Sequence, residues 1–256
     1  MDAFYEPLGN GRYRATSRTA GPWETGAQHA GPPSALLGGA IERCAPRDDL
    51  MVARVTCEIL GPVPVADVEV EARVARPGRS VELVEAVLRA NGRDAMLARA
   101  WRVRRTEGVA VASRDTPPPP RTNATGLPDG LRNGYLGALE WELVRGAFGV
   151  PGPAAAWTRL AVAIVAGEPV TPLQRVLAVA DSGNGISGEL DWTAWWFINT
   201  ELTVHLHREA VGEWVCLDAT TTITENGAGL ATSTLSDERG PIGRGAQVLL
   251  VGPRTP

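Results

Sequence analysis

The chain has 256 residues, a net charge of −4 and a hydrophobic share of 44% against 21% charged. That is the balance of an ordinary globular protein, able to bury a sizeable core as one large domain or two small ones. The acidic balance argues against nucleic-acid binding, which needs a basic face, and no run reaches the roughly 20 apolar residues of a membrane-spanning helix.

The stretch MDAFYEPLGNGRY has no basic region leading into an apolar core, so it does not read as a signal peptide, and the expected location is the cytoplasm. Cys44, Cys57 and Cys216 are an odd set without metal-type or redox-type spacing, which reads as buried, reduced thiols. GRYRAT (11–16) reads as a short strand, closed by a turn at Gly21-Pro22. In QHAGPPSALLGGAIERC, Pro32 and Pro33 suit a first helical turn and Ser34 a cap; Leu36, Leu37, Ala40 and Ile41 follow at helical spacing until Pro46. The Ala and Gly content lets this helix lie very close to a neighbour, as a helix wrapped by a sheet would. Strands are expected at 51–59, 67–74, 81–90 and 95–104. Val68, Val70, Ala72 and Val74 alternate with charged residues, and Asn91-Gly92 marks a hairpin.

The segment 111–134, with its run PPPP, reads as a linker between an N-terminal unit (1–110) and a C-terminal unit (135–256). The same order then recurs. A strand is expected over 135–145. Residues 154–165 could be strand or helix. A second small-residue helix runs from Pro172 to Asp181, with Thr171 as its cap. Further strands are expected at 202–208, 212–224, 229–237 and 246–251. On the first of these, Leu202, Val204 and Leu206 share one face and Thr203, His205 and His207 the other. The fold class is α+β: two antiparallel sheets, each curled around one small-residue helix.

Four segments resemble a known family. The helix ending LAVADSGN, the strand INTELTVHLHR, the closing stretch DERGPIGRGAQVLLV and, in the first half, QHAGPPSALLGGAIE are similar to segments of type II acyl-CoA thioesterases and their thioesterase-like relatives. The resemblance implies a double hotdog fold, hydrolysis of acyl-CoA or acyl-carrier thioesters, no cofactor and a possible homodimer. It implies catalytic residues as well: an Asp at Asp181, a Gln at Gln247, and a Thr position that falls on Asn199 with Thr200 beside it. Asn can donate to or accept from a water much as Thr does. A thioester needs a water in reach of a base, and donors where the carbonyl oxygen turns negative. Asp181 is the expected base, Asn199 or Thr200 and Gln247 would orient the water, and backbone N–H groups at Gly31 and Gly183 are oxyanion candidates.

Other constellations weigh less. GNGISG (183–188) fits a dinucleotide-binding pattern, but the next segment is Trp-rich and leads to strands rather than a strand-helix-strand unit. His205 and His207 share a strand face, yet His29 is the third and last histidine, so a metal is not expected. A G-x-S-x-G elbow does not occur. The alternatives kept are a non-catalytic acyl-binding scaffold of the same fold and a hydratase or dehydratase using a His–acid pair.

Overall fold

A computed structural model describes residues 2–109, 116–122 and 126–254. In the first half, β1 (Ala3–Gly9) and β2 (Arg12–Ala15) precede helix α1 (Gly31–Arg43), and β3 (Leu50–Ile59), β4 (Asp67–Arg76), β5 (Val81–Ala90) and β6 (Arg93–Arg104) follow it. The second half holds the short helix α2 (Gly134–Gly137), β7 (Leu139–Arg145), β8 (Ala154–Leu160), β9 (Ala163–Val165), α3 (Pro172–Ala180), the one-turn α4 (Gly183–Ile186), β10 (Trp195–Asn199), β11 (Glu201–Leu206), β12 (Val215–Ile223), β13 (Ala228–Asp237) and β14 (Gly240–Pro253).

Alternation in the sequence becomes pleat in the fold. Val68 and Val70 of β4 are buried while Asp67, Glu69 and Glu71 face solvent. Asn91 and Gly92 both adopt positive φ, 52° and 73°, and join β5 to β6 in the primed turn whose twist matches a hairpin. The fourteen strands described form one sheet, not two. The halves join where β11 pairs antiparallel with β3, Leu202 opposite Cys57 and Val204 opposite Val55. Leu202, Val204 and Leu206 are buried and His205 and His207 exposed, as the alternation requires. The short β9 crosses over and pairs parallel with β1.

The two helices lie inside the curl of this sheet and pack on each other. The small residues of α1 serve that contact. A Cβ on Gly38 would stand 2.5 Å from Leu177 Cδ1 of α3, so a larger residue would push the helices apart. Helix α3 begins with Thr171, whose hydroxyl accepts from the Gln174 N–H while the Gln174 side chain accepts from the Thr171 N–H. Ser34 does not cap α1: it lies buried inside the first turn, and the cap position is Ala30, without a side-chain bond.

Other local readings change. Tyr135 belongs to α2, so the strand starts only at Leu139, and 154–165 is two strands without helix. Strands β1 and β10 are additional. GNGISG opens a four-residue helix directly after α3. Of the linker read over 111–134, residues 111–115 and 123–125 lie outside the described residues. The described part lies along the second half: Trp157 Nε1–H donates to the Pro119 carbonyl at 2.8 Å, and Arg121 pairs with Glu142 while stacking 3.7 Å over Trp214.

Candidate active site

Because α1 and α3 run antiparallel, the start of one meets the end of the other. Asp181 sits at the C-terminal end of α3, one residue past a buried apolar helix face, and is itself only 2% exposed. Three side chains reach its carboxylate. Asn199, at the end of β10, donates from Nδ2 to Oδ1 at 2.8 Å. Gln247, on β14, donates from Nε2 to the Asp181 carbonyl at 3.0 Å and to Oδ1 at 3.2 Å, while its Oε1 accepts the Asn184 N–H at 3.1 Å. His29, just ahead of α1, places Nδ1 3.0 Å from Oδ2.

Burial dominates the protonation of this pair. It pushes the Asp181 carboxyl up to about 7, against the opposing donors Asn199, Gln247 and the N–H groups of Gly31 and Ala30. It pushes the His29 imidazole down to about 3, so the ring is neutral at neutral pH. The Gly31 N–H donates to His29 Nδ1 at 3.1 Å, so that nitrogen offers a lone pair. A second lone pair from Asp181 cannot face it. The proton between them therefore sits on Asp181, and the ring proton on Nε2. Ionising Asp181 favours the other tautomer, with Nδ1–H donated to Oδ2 and a lone pair on Nε2. The ring itself is held by stacking on Tyr135, with centroids 3.8 Å apart and planes within 7°. Tyr135 is fixed in turn, its hydroxyl donating to the Ala178 carbonyl at 2.7 Å.

His29 is the link to open space. It lines a cavity of about 90 Å³ together with Ser182, Asn184 and an apolar wall, whereas Asp181 does not reach that wall. Trp23 and Trp192, 40% and 43% exposed, stand at the opening; the buried Leu136, Trp141 and Ile186 form the floor.

The structure thus gathers Asn199 and Gln247 around the Asp181 carboxylate, and both amides donate to the acid itself. Thr200 is not part of the cluster. It is exposed, and its backbone is engaged by Val248 and Ile59 across the sheet. Gly31 shares its N–H between His29 and the Asp181 carboxyl rather than aiming it into the cavity, and it serves close approach: a Cβ there would stand 2.4 Å from the Ala178 carbonyl oxygen. At Gly183 a Cβ would lie 2.8 Å from Gln247 Oε1. His29 is the residue that sequence reasoning passed over. Its signal was position, two residues before the helix whose start meets Asp181, but that meeting is invisible until the helices are paired. His205 and His207 remain on the outer sheet face. Among the described residues no group of three or more His, Cys, Asp or Glu side chains could hold a metal ion.

Residues 110–251 match the family model of the acyl-CoA thioesterase C-terminal domain, and residues 19–103 that of the N-terminal domain. The chain belongs to the acyl-CoA thioesterase family. It is a thioester hydrolase by that membership. Solved structures agree on the hot dog fold. A candidate thioesterase II from Thermobifida fusca YX superposes with a TM-score of 0.73 at 20% identity, covering 97% of this chain and 95% of that one. A hot dog protein from Alicyclobacillus acidocaldarius gives 0.71 at 17% identity, covering 98% and 96%. The acyl-CoA thioesterase II TesB2 from Mycobacterium marinum gives 0.66 at 14%, covering 98% and 95%. No protein with a curated description matches the sequence.

The far end of the helix pair, where α1 finishes and α3 starts, is built differently. There Arg102 of β6 donates to the carbonyls of Ile41, Cys44 and Ala45 and pairs with Glu82 at 2.9 Å. It occupies the place that Gln247 holds at the first end, on the strand that pairs with β3 as β14 pairs with β11. A guanidinium spent on helix carbonyls and an ion pair stands there beside a polar cleft lined by Glu42, Arg102 and Glu209, so the thioesterase has its acid–imidazole pair at one end of its helices.

Proposed function

We propose that this thioesterase hydrolyses acyl-CoA-type thioesters with a water activated by Asp181 through His29. The observation that carries the reading is a buried carboxyl near pH 7, held by Asn199 and Gln247, in contact with the one imidazole that lines the apolar cavity. In the active form Asp181 is ionised and accepts Nδ1–H, leaving Nε2 free as a base. Nε2 takes a proton from water as the oxygen adds to the thioester carbonyl carbon. The carbonyl oxygen becomes negative and needs a donor. Asn184 lines the cavity, and among the described residues its Nδ2 has one acceptor, the Phe197 carbonyl at 3.3 Å, which leaves its second amide hydrogen for the substrate. Collapse breaks the C–S bond, and the imidazolium returns its proton to the leaving sulfur. The products are a carboxylic acid and a free thiol. Asp181 stabilises the imidazolium throughout and fixes the ring's tautomer, as a buried carboxylate does in other His-based sites.

A panel of acyl-CoAs with free-thiol detection tests this. Steady thiol release, lost in Asp181→Asn, supports it; binding without release would make the protein an acyl-binding scaffold. The 3.0 Å His29–Asp181 contact also suits a hydratase or dehydratase, which moves protons on the acyl chain. Change in enoyl absorbance without thiol release would favour that second reading.

A further inference from the structure

The cavity has a composition the hydrolytic chemistry does not require. Of the chain's three Phe, eight Trp and three Tyr, five line this one space: Trp23, Trp141, Phe148, Trp192 and Phe197. They are arranged edge to face. Trp23 meets Phe197 at 5.6 Å and 74° and Trp192 at 6.0 Å and 61°, and Trp141 meets Phe148 at 5.4 Å and 83°. Trp141 is held there, its Nε1–H donated to the Leu136 carbonyl at 3.0 Å. Rings set at steep angles leave both faces and edges presented, and a further ring entering such a box finds a partner on either side. The volume is also telling. About 90 Å³ is of the order of the apolar cavity, roughly 150 Å³, that takes up a single benzene ring.

We propose that the acyl group this enzyme selects is compact and ring-bearing, of the benzoyl or phenylpropanoyl class, and that Phe148 and Trp192 are specificity-determining residues. The inference rests on the thioesterase reading above. The ring lies among Trp141, Phe148 and Trp192, the thioester carbon lies toward His29 and Asn184, and the thiol portion leaves through the opening beside Trp23. A straight chain of eight or more carbons has no ring to set against these rings and must extend further to bury the same surface. A short straight chain fits but forgoes the ring contacts, each worth roughly two- to tenfold in affinity.

The test compares benzoyl-CoA, 3-phenylpropanoyl-CoA, butanoyl-CoA, octanoyl-CoA and hexadecanoyl-CoA by thiol release, and measures their binding by quenching of tryptophan fluorescence. At least one aryl substrate is expected to exceed every straight-chain one by about tenfold in kcat/KM. Phe148→Ala and Trp192→Ala change half-buried or exposed side chains, so folding survives. Each should cut the aryl-to-butanoyl ratio by roughly threefold or more. Octanoyl- or hexadecanoyl-CoA turned over as well as the aryl substrates, or a ratio unmoved in both variants, overturns the proposal. If no thioester is hydrolysed yet the aryl compounds still bind about tenfold tighter than the straight-chain ones, the hydrolase reading fails and the assignment of the cavity stands.

Discussion

Replacing Asp181 by Asn separates the chemistry of this site from its structure. The new amide has the shape of the protonated acid. It can still accept from Asn199 and Gln247 and can donate to the His29 Nδ1 lone pair, which locks the ring in the Nε2–H tautomer. That tautomer cannot take a proton from water. Loss of a positioned base costs about 10² to 10⁴ in rate, roughly 3 to 5 kcal/mol of transition-state stabilisation. Stability should move the other way. The carboxyl rises from 3.8 unfolded to about 7 folded, so the folded state holds a proton that the unfolded state has released between those values. Folding stability from this group is therefore complete below pH 3.8, falls as pH rises to about 7, and stays reduced above. Three units at about 1.4 kcal/mol each give an upper bound of about 4 kcal/mol at pH 8. The amide escapes that cost, less whatever the Ala30 and Gly31 N–H groups lose. At roughly 2 to 4 °C per kcal/mol for a chain of this size, Tm at pH 8 rises by up to about 16 °C, and the gap closes below pH 4. His29 acts in the opposite sense. Its lowered value, about 3, costs stability as pH falls below the unfolded value of 6.5, so in the wild type the two slopes offset each other between 3.8 and 6.5. Thermal melts at pH 4, 6 and 8, with thiol-release kinetics, measure both arms. A variant that keeps more than a tenth of the activity, or gains nothing at pH 8, refutes this account of the pair.

Other variants probe the supports. In the wild type, kcat/KM should rise with pH through about 7, as Asp181 ionises. Asn199→Ala removes a donor that lowers the Asp181 value, so this limb should shift to higher pH by up to about one unit; a pH–rate profile reads it. Gln247→Leu strands the Asn184 N–H and the Asp181 carbonyl, at about 1–3 kcal/mol each, and urea midpoints should fall accordingly. His29→Ala should cost about as much rate as Asp181→Asn, and the double variant little more, since the two act as one unit; additive losses would mean separate roles. Arg102→Met leaves the buried Glu82 with only the more distant Arg47, at 4.0 Å, and should destabilise the chain by about 3 kcal/mol, with kcat/KM per folded molecule unchanged.

The sequence by itself carried what is local. Period-two alternation placed most strands and the buried face of β11. Asn91-Gly92 gave its turn, and Thr171 with Pro172 gave the start of α3, because turns and caps are satisfied by residues a few positions apart. The resemblance picked out Asp181, Asn199 and Gln247, which the fold gathers. Tertiary structure decided what depends on approach between distant segments. The glycines of α1 looked made for a sheet and serve instead the contact with α3. Strand β10 was masked by its tryptophans: Trp195 is exposed and Trp196 half-buried, so the strand opens without an apolar residue turned inward. His29 became a partner of Asp181 only because antiparallel helix packing brings residue 29 beside residue 181. Burial then set the protonation of both, and burial is a property of the surrounding fold, not of any spacing along the chain.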